Sequence, residues 1–217
     1  MNYRNLTDSE ISQLEKNGCS SENWEQVKVK ESFEPQRLYH VYFAGKVNLG
    51  VCSGKIEVEE GVDKPSGIYH CYIKDSTIED HVYLSNVRNL MNYHISEDVA
   101  IENVSTLLVN KETTFGNGIE LEILNEGGGR DLPVFDRMSA QIAYLVVNYR
   151  HDKQLIDKLT GIIHDYAKTK KSNKGMVETG ARILNTTAIK NVYIGSYSEI
   201  QGANILEEGT IASCKED

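Results

Sequence analysis

The residues best suited to chemistry crowd into one loop, 125–130, which reads Asn125, Glu126, Gly127, Gly128, Gly129 and Arg130. Three successive glycines let backbone approach a ligand closely, and their N–H groups ahead of a helix start can hold an anion. Arg130 adds a forked donor matched to phosphate or carboxylate, and Glu126 beside it could act as a catalytic base. A plainer reading is a flexible exit into the following helix, with Arg130 bridged to an acidic neighbour. Upstream, Phe115, Gly116, Asn117 and Gly118 form a second glycine-rich corner. Asn117 could face the same cleft as a ligand contact, or the corner could be a tight turn and nothing more.

Bulk properties narrow the partners. The chain has 217 residues and a formal net charge of -9, with a pI near 5.2. That balance disfavours nucleic acid and anionic membrane, both of which need clustered Lys and Arg. The one basic run holds Lys168, Lys170, Lys171 and Lys174, where a helix is expected to end and cations complement its dipole. Cys19, Cys52, Cys71 and Cys214 lack CxxC spacing, so neither zinc nor a disulfide framework is indicated and reduced, buried thiols are expected. No apolar run approaches ~18 residues and the first residues lack the core of a secretion signal, which predicts a soluble cytoplasmic protein with no membrane partner. The residue pattern assigns no cofactor.

The elements that must position these groups show an unusual period. Ile78, Leu84, Leu90, Ile95, Ile101 and Leu107 are separated by 6, 6, 5, 6 and 6 residues, and Val177, Ile183, Ile189, Ile194, Ile200 and Leu206 repeat the same gaps 99 residues later. Every third member lies 17 positions on, so Ile78, Leu84 and Leu90 are expected to stack on Ile95, Ile101 and Leu107, as in a β-solenoid with three short faces per coil. Asn86 and Asn103, with Asn185 and Gly202 in the second copy, supply corner residues that tolerate a left-handed backbone.

Four regions follow. Residues 1–36 read as a helical cap, with Thr7 or Asp8 capping a short helix that Asn17 and Gly18 stop. Residues 37–130 read as a first β segment. Ile56 lies 17 before Ile73 and suggests an irregular first coil, a loop at 61–67 is expected to project, and Leu124 suggests one further coil after Leu107. Residues 131–174 read as an inserted antiparallel helix pair. Pro133 suits the first turn of its first helix, Asp152 caps the second, and Leu155, Ile156, Leu159, Ile162, Ile163 and Tyr166 are expected on the buried side. Residues 175–217 resume the coils and stop in mid-coil, which suggests a fragment or an open end that pairs with a partner.

The stretch 192–211, with Ile194, Gly195, Ile200, Gly202, Gly209 and Ile211, resembles the hexapeptide repeat of left-handed β-helix proteins, among them acyltransferases and the C-terminal domains of sugar-nucleotide pyrophosphorylases. Residues 3–7, 115–118, 125–130 and 191–195 further resemble an uncharacterised bacterial family labelled as related to UDP-N-acetylglucosamine pyrophosphorylase, of which this chain looks like the N-terminal part. The resemblance implies a left-handed parallel β-helix, a transferase-like activity on a nucleotide sugar or an acyl-CoA substrate, and a homo-trimer. It also implies a histidine as general base, for which His81 and His94 are the candidates, each with surface imidazole as the plain alternative. One departure matters. Residues 1–60 lack the βαβ order of a nucleotide-binding domain, so nucleotidyl transfer by this chain alone is not expected. Two functions therefore stand. One is a transferase-like protein binding a sugar nucleotide or related anion where coils meet helices. The other is a non-catalytic β-solenoid scaffold or oligomerisation module.

Overall fold

The computed structural model describes residues 3–122, 127–129, 131–213 and 215. Among them the strands form a thirteen-stranded sheet, a six-stranded sheet and two two-stranded antiparallel sheets. Pairing follows the spacing of the apolar residues. Ile78 pairs with Ile95, Leu84 with Ile101 and Leu90 with Leu107, all parallel. In the second copy Val177 pairs with Ile194, Ile183 with Ile200 and Ile189 with Leu206. The copies join directly, since Ile95, Ile101 and Leu107 pair with Val177, Ile183 and Ile189. Equivalent side chains then stack in the core, where Ile78, Leu84, Leu90, Ile95, Ile101 and Leu107 are buried.

The chain is mainly β with few helices, but its main sheet is mixed and curled as a half-barrel, which corrects the expectation of a left-handed parallel β-helix. One arm of that sheet runs from Arg4–Asn5 through Val47–Leu49, Thr77–Ile78 and Tyr93–Ile95 to the long strand Ala188–Ile194, and the other returns through Thr106–Leu108 and Tyr72–Lys74 to Ser20–Ser21. The six-stranded sheet, from Leu38–Tyr39 to Glu199–Gln201, is parallel throughout. Antiparallel pairing arises where the chain reverses over a short distance. Arg4–Asn5 precedes the first helix and Val27–Val29 follows it, so the two meet antiparallel.

A second reversal removes Ile56 from its expected register. Lys55–Glu59 and Val62–Pro65 pair as a hairpin in which Ile56 faces Lys64, and Gly61 takes a positive φ at the tip. Ile73 pairs instead with Phe43 and Leu90. The hairpin does not project freely, because Ile56 and Val58 pack on Tyr83, Ala100 and Leu184 as a second apolar cluster.

Corners are made by residues with positive φ. Asn86, Asn103 and Asn185 have φ of 54°, 56° and 52°, and Gly202 has 67°, as their spacing predicts. His40 and His70 occupy the same row, with rings stacked 4.9 Å apart. Asn86 Nδ2 donates to Asn103 Oδ1 at 3.1 Å and Asn103 Nδ2 to Asn185 Oδ1 at 3.0 Å, so the corner residues bind along the stack as well as turning the chain.

The helices agree in part with expectation. Helix α1 (Asp8–Lys16) has Thr7 as N-cap in a capping box with Glu10, and Gly18 follows at φ 78°. Arg4 grips the Glu10 carboxylate with two donors at 2.8 and 2.9 Å. Helix α2 (Ala140–Asn148) is capped by Ser139 rather than begun by Pro133, which lies in a short strand, Leu132–Pro133, antiparallel to Glu120–Leu121. That pairing also replaces the further coil expected after Leu107; Leu124 lies outside the described residues. Helix α3 (Lys153–Thr169) is capped by Asp152 and buries Ile156, Ile163 and Ala167, but Ile162 is 67 % exposed. A 17-residue helix resting one face on a small support leaves its flanking positions in solvent.

Two outcomes follow. Ile95→Ala, in the middle of the stack, should cost about 2–5 kcal/mol and lower the urea midpoint without changing the m-value. The hydrogen bonds from Arg4, the leading cause, hold the Glu10 pKa at about 2 against an ordinary 4.5, with burial opposing and Thr7 assisting. A depressed carboxylate stabilises the fold fully above pH 4.5 and loses that contribution as pH falls toward 2. Acid titration of stability should therefore show a shallower limb in Glu10→Gln; an unchanged limb would rule the pair out as its source.

Candidate functional site

The place where the helices leave the sheets has a defined neck. Thr113 and Ser172 exchange backbone hydrogen bonds at 2.9 and 3.0 Å, closing the excursion that begins after Thr106–Leu108 and ends at Gly175–Val177. Its re-entry is tight. Gly175 pairs with Tyr93, and a Cβ on Gly175 would lie 2.4 Å from that ring. Tyr93 is fully buried and donates to the Val192 carbonyl at 2.6 Å; burial pushes its phenol pKa well up.

Beside the neck lies a cleft of about 220 Å³, walled by Phe115, Asn117, Val134, Phe135, Asp136 and Glu208. Phe115 sits at a corner with φ 53°, held by an edge contact to Tyr193 at 6.0 Å. Gly116 is required there, since a Cβ would meet the Glu208 carbonyl at 2.6 Å. The Asn117 carboxamide is buried and engaged: Nδ2 donates to the Thr114 carbonyl at 2.8 Å, and Oδ1 accepts from the Asp136 backbone N–H at 2.8 Å. It fastens the corner to the opposite wall of the cleft.

Both acids of the cleft are paired. Asp136 accepts from Tyr166 at 2.6 Å and meets Lys170 at 3.1 Å. Glu208 meets Lys111 at 2.8 Å and accepts from Thr113 and Asn191 at 2.7 and 2.9 Å. Burial opposes ionisation of Glu208, but these three donors outweigh it and hold its pKa below the usual range. An acid-lined cleft of this kind is a poor anion receptor. Of the loop expected to supply the anion site, Asn125, Glu126 and Arg130 lie outside the described residues. Gly127, Gly128 and Gly129 are exposed, and none of the described residues walls them in, since a Cβ on any of them would meet nothing within 4 Å.

The two histidines are apart from this cleft and from each other's partners. His81 has φ 54° at a corner; its Nε2 lies 2.9 Å from the Lys55 carbonyl, and its Nδ1 lies 3.5 Å from Asp98. A carbonyl only accepts, so Nε2 carries the proton and is spent as a donor. His94 points outward, as its place before Ile95 predicts, with Nε2 3.8 Å from Glu79.

Glu79 belongs to an ion cluster that sequence reading missed. Lys30 meets Glu79 at 2.8 Å and Asp80 at 2.9 Å, while the Tyr3 hydroxyl donates to Glu79 at 3.2 Å. Burial first, then the Glu79 charge, pushes the Tyr3 pKa up to about 12. The cluster ties residues on both sides of α1 to the sheet. No spacing signal links Lys30 to Glu79, because they meet only through strand order. The thiols of Cys52 and Cys71 are buried, which raises their pKa values to about 11 and 12 and leaves them protonated and unreactive near neutrality.

A family model described as a domain of unknown function (DUF4954) matches residues 3–217. The chain belongs to this family. It is also similar to an "Uncharacterized protein" of Treponema pallidum (strain Nichols), 25 % identical over 222 residues. That match covers 97 % of this chain and 31 % of the Treponema protein, so the chain spans about a third of the relative's length. No solved structure matches. These findings correct the resemblance drawn from the sequence. The family and the relative carry neither a hexapeptide-repeat nor a UDP-N-acetylglucosamine pyrophosphorylase description, and the transferase reading that came with them falls. Glycine and isoleucine at coil spacing report strand stacking, a property of architecture rather than of reaction. Among the described residues no helix is long and apolar enough to cross a membrane.

The ion cluster has a measurable consequence. Lys30→Ala would leave Glu79 short of its main partner in a half-buried setting and should lower stability by about 1–3 kcal/mol in urea unfolding. The same change at Lys28, whose side chain points to solvent, should stay within about 0.5 kcal/mol. Equal effects at the two positions would mean that the cluster contributes nothing specific.

Proposed function

We propose that this chain is a non-catalytic β scaffold whose surfaces serve recognition rather than bond-making. The observation that carries this reading is the state of the groups placed to do chemistry. Asp136 and Glu208 at the cleft are neutralised by Lys170 and Lys111, Asn117 is locked across it, and His81 donates from Nε2 to a carbonyl with its Nδ1 turned toward Asp98 rather than into a cleft. Each tie joins segments far apart in sequence, so these groups are occupied in holding the sheet, the corners and the helices together. A general base or nucleophile needs a lone pair directed at a substrate.

The test is turnover. The chain, incubated separately with an acyl-CoA plus an amine or hydroxyl acceptor and with a nucleotide sugar, should give no product by mass spectrometry over the buffer background. Product whose formation is abolished by His81→Ala or by His94→Ala would overturn the scaffold reading.

A further inference from the structure

One hollow on the surface of this acidic chain is lined by an arginine and no carboxylate. This hollow, of about 430 Å³, opens on the corner row that carries the asparagines, lined by His70, Asn86, Arg88, Asn103 and Ser105. Its size is that of a small-molecule site. No carboxylate is among these residues, although the chain as a whole has a formal net charge of -9.

Arg88 sets the hollow apart. Among the described residues every other arginine is engaged: Arg4 with Glu10, Arg37 with Glu34, Arg137 over the Tyr166 ring, Arg150 with the Asp131 carbonyl and Arg182 with Asp98. Among the described residues the Arg88 guanidinium has no such partner, and it is exposed; what fixes the residue is its backbone N–H, which donates to the Val104 carbonyl. Five N–H donors therefore face solvent in a fork that matches a carboxylate or phosphate group.

The neighbours are arranged to continue such contacts. Ser85 pairs with Glu102 and Val87 with Val104, which sets Asn86 beside Asn103 and Arg88 in line with Ser105. Each asparagine spends one carboxamide hydrogen on the row, Asn86 on Asn103 and Asn103 on Asn185, and keeps its second. Ser105 adds a hydroxyl. His70 closes one side and is held flat by its stack on His40. The positive φ at His70, Asn86 and Asn103 fixes these positions through the backbone, so the donors are organised before any ligand arrives.

We infer that this hollow is a binding site for a small oxyanion-bearing molecule, its carboxylate or phosphate group gripped by Arg88 and its remaining polar groups met by Asn86, Asn103 and Ser105. Recognition at this site is compatible with a scaffold and is independent of the cleft beside the helix excursion.

Amide and arginine side-chain resonances of the whole ¹⁵N-labelled chain, titrated separately with inorganic phosphate and with malonate, test it. The expected result is saturable shifts of the Arg88 Nε–H and of the Asn86 and Asn103 carboxamides with at least one of the two probes. Arg88→Gln should weaken that binding by about tenfold or more, as loss of a charge-assisted contact implies, with an unchanged melting temperature. Asn103→Gly, which keeps the left-handed corner and removes the carboxamide, should weaken it by a smaller factor. A response to phosphate alone assigns a phosphate ligand, and one to malonate alone a carboxylate. Linear shifts that never saturate, or affinity that Arg88→Gln leaves unchanged, would overturn the site.

Discussion

Register is the constraint on which this molecule depends. Leu90 must meet Leu107 and Ile101 must meet Ile183, because a strand shifted by one residue would turn its core side chains to solvent. Each buried Ile or Leu is worth about 1.5–3 kcal/mol relative to exposure, and the larger of the two apolar clusters is built around columns of them. The same register brings the corner residues into rows, so that Asn86, Asn103 and Asn185 bond in line. Surface chemistry is thus a by-product of core alignment. A donor at one level of the stack has its equivalents directly above and below.

Departures from that register occur where the chain reverses locally, and each is closed by specific contacts. The hairpin Lys55–Glu59 and Val62–Pro65 lies down on Tyr83 and Leu184. The helix excursion leaves and returns through the Thr113 and Ser172 bridge, and Gly175 then slides under the Tyr93 ring. Because the strands on either side pair directly with each other, the excursion adds a cleft without disturbing the core. Charge follows the same division. Carboxylates at the edges and seams, Glu10, Glu79, Asp136 and Glu208, are each matched by a cation from another segment of the chain.

Function is therefore sought where side chains are organised but not consumed. The seam cleft satisfies the first condition and fails the second, as its acids and its carboxamide are all tied within the protein. The Arg88 hollow satisfies both, since the rows that rigidify it leave hydrogen-bond donors unspent. This distribution of spent and unspent groups is what the scaffold reading and the proposed oxyanion site rest on.

The amino-acid sequence by itself determined the period of the core, the partners along each apolar column, the corner asparagines, the cap at Asp152 and a first cap at Thr7 or Asp8, because each is written in local spacing or in a residue's own backbone preference. It misread Ile56 and Pro133, where a short reversal outcompeted the long-range register, and it took a repeat of glycines and isoleucines for the hexapeptide repeat of left-handed β-helix proteins. Only the tertiary structure decided that the main sheet is mixed and curled, that Lys30 reaches Glu79, that Asn117 locks the cleft, and that Arg88 lies beside the corner carboxamides with no partner among the described residues. The physical reason is common to all four. Each depends on which segments the strand order brings side by side, and a column of similar apolar residues specifies stacking while saying nothing about the charges that arrive beside it.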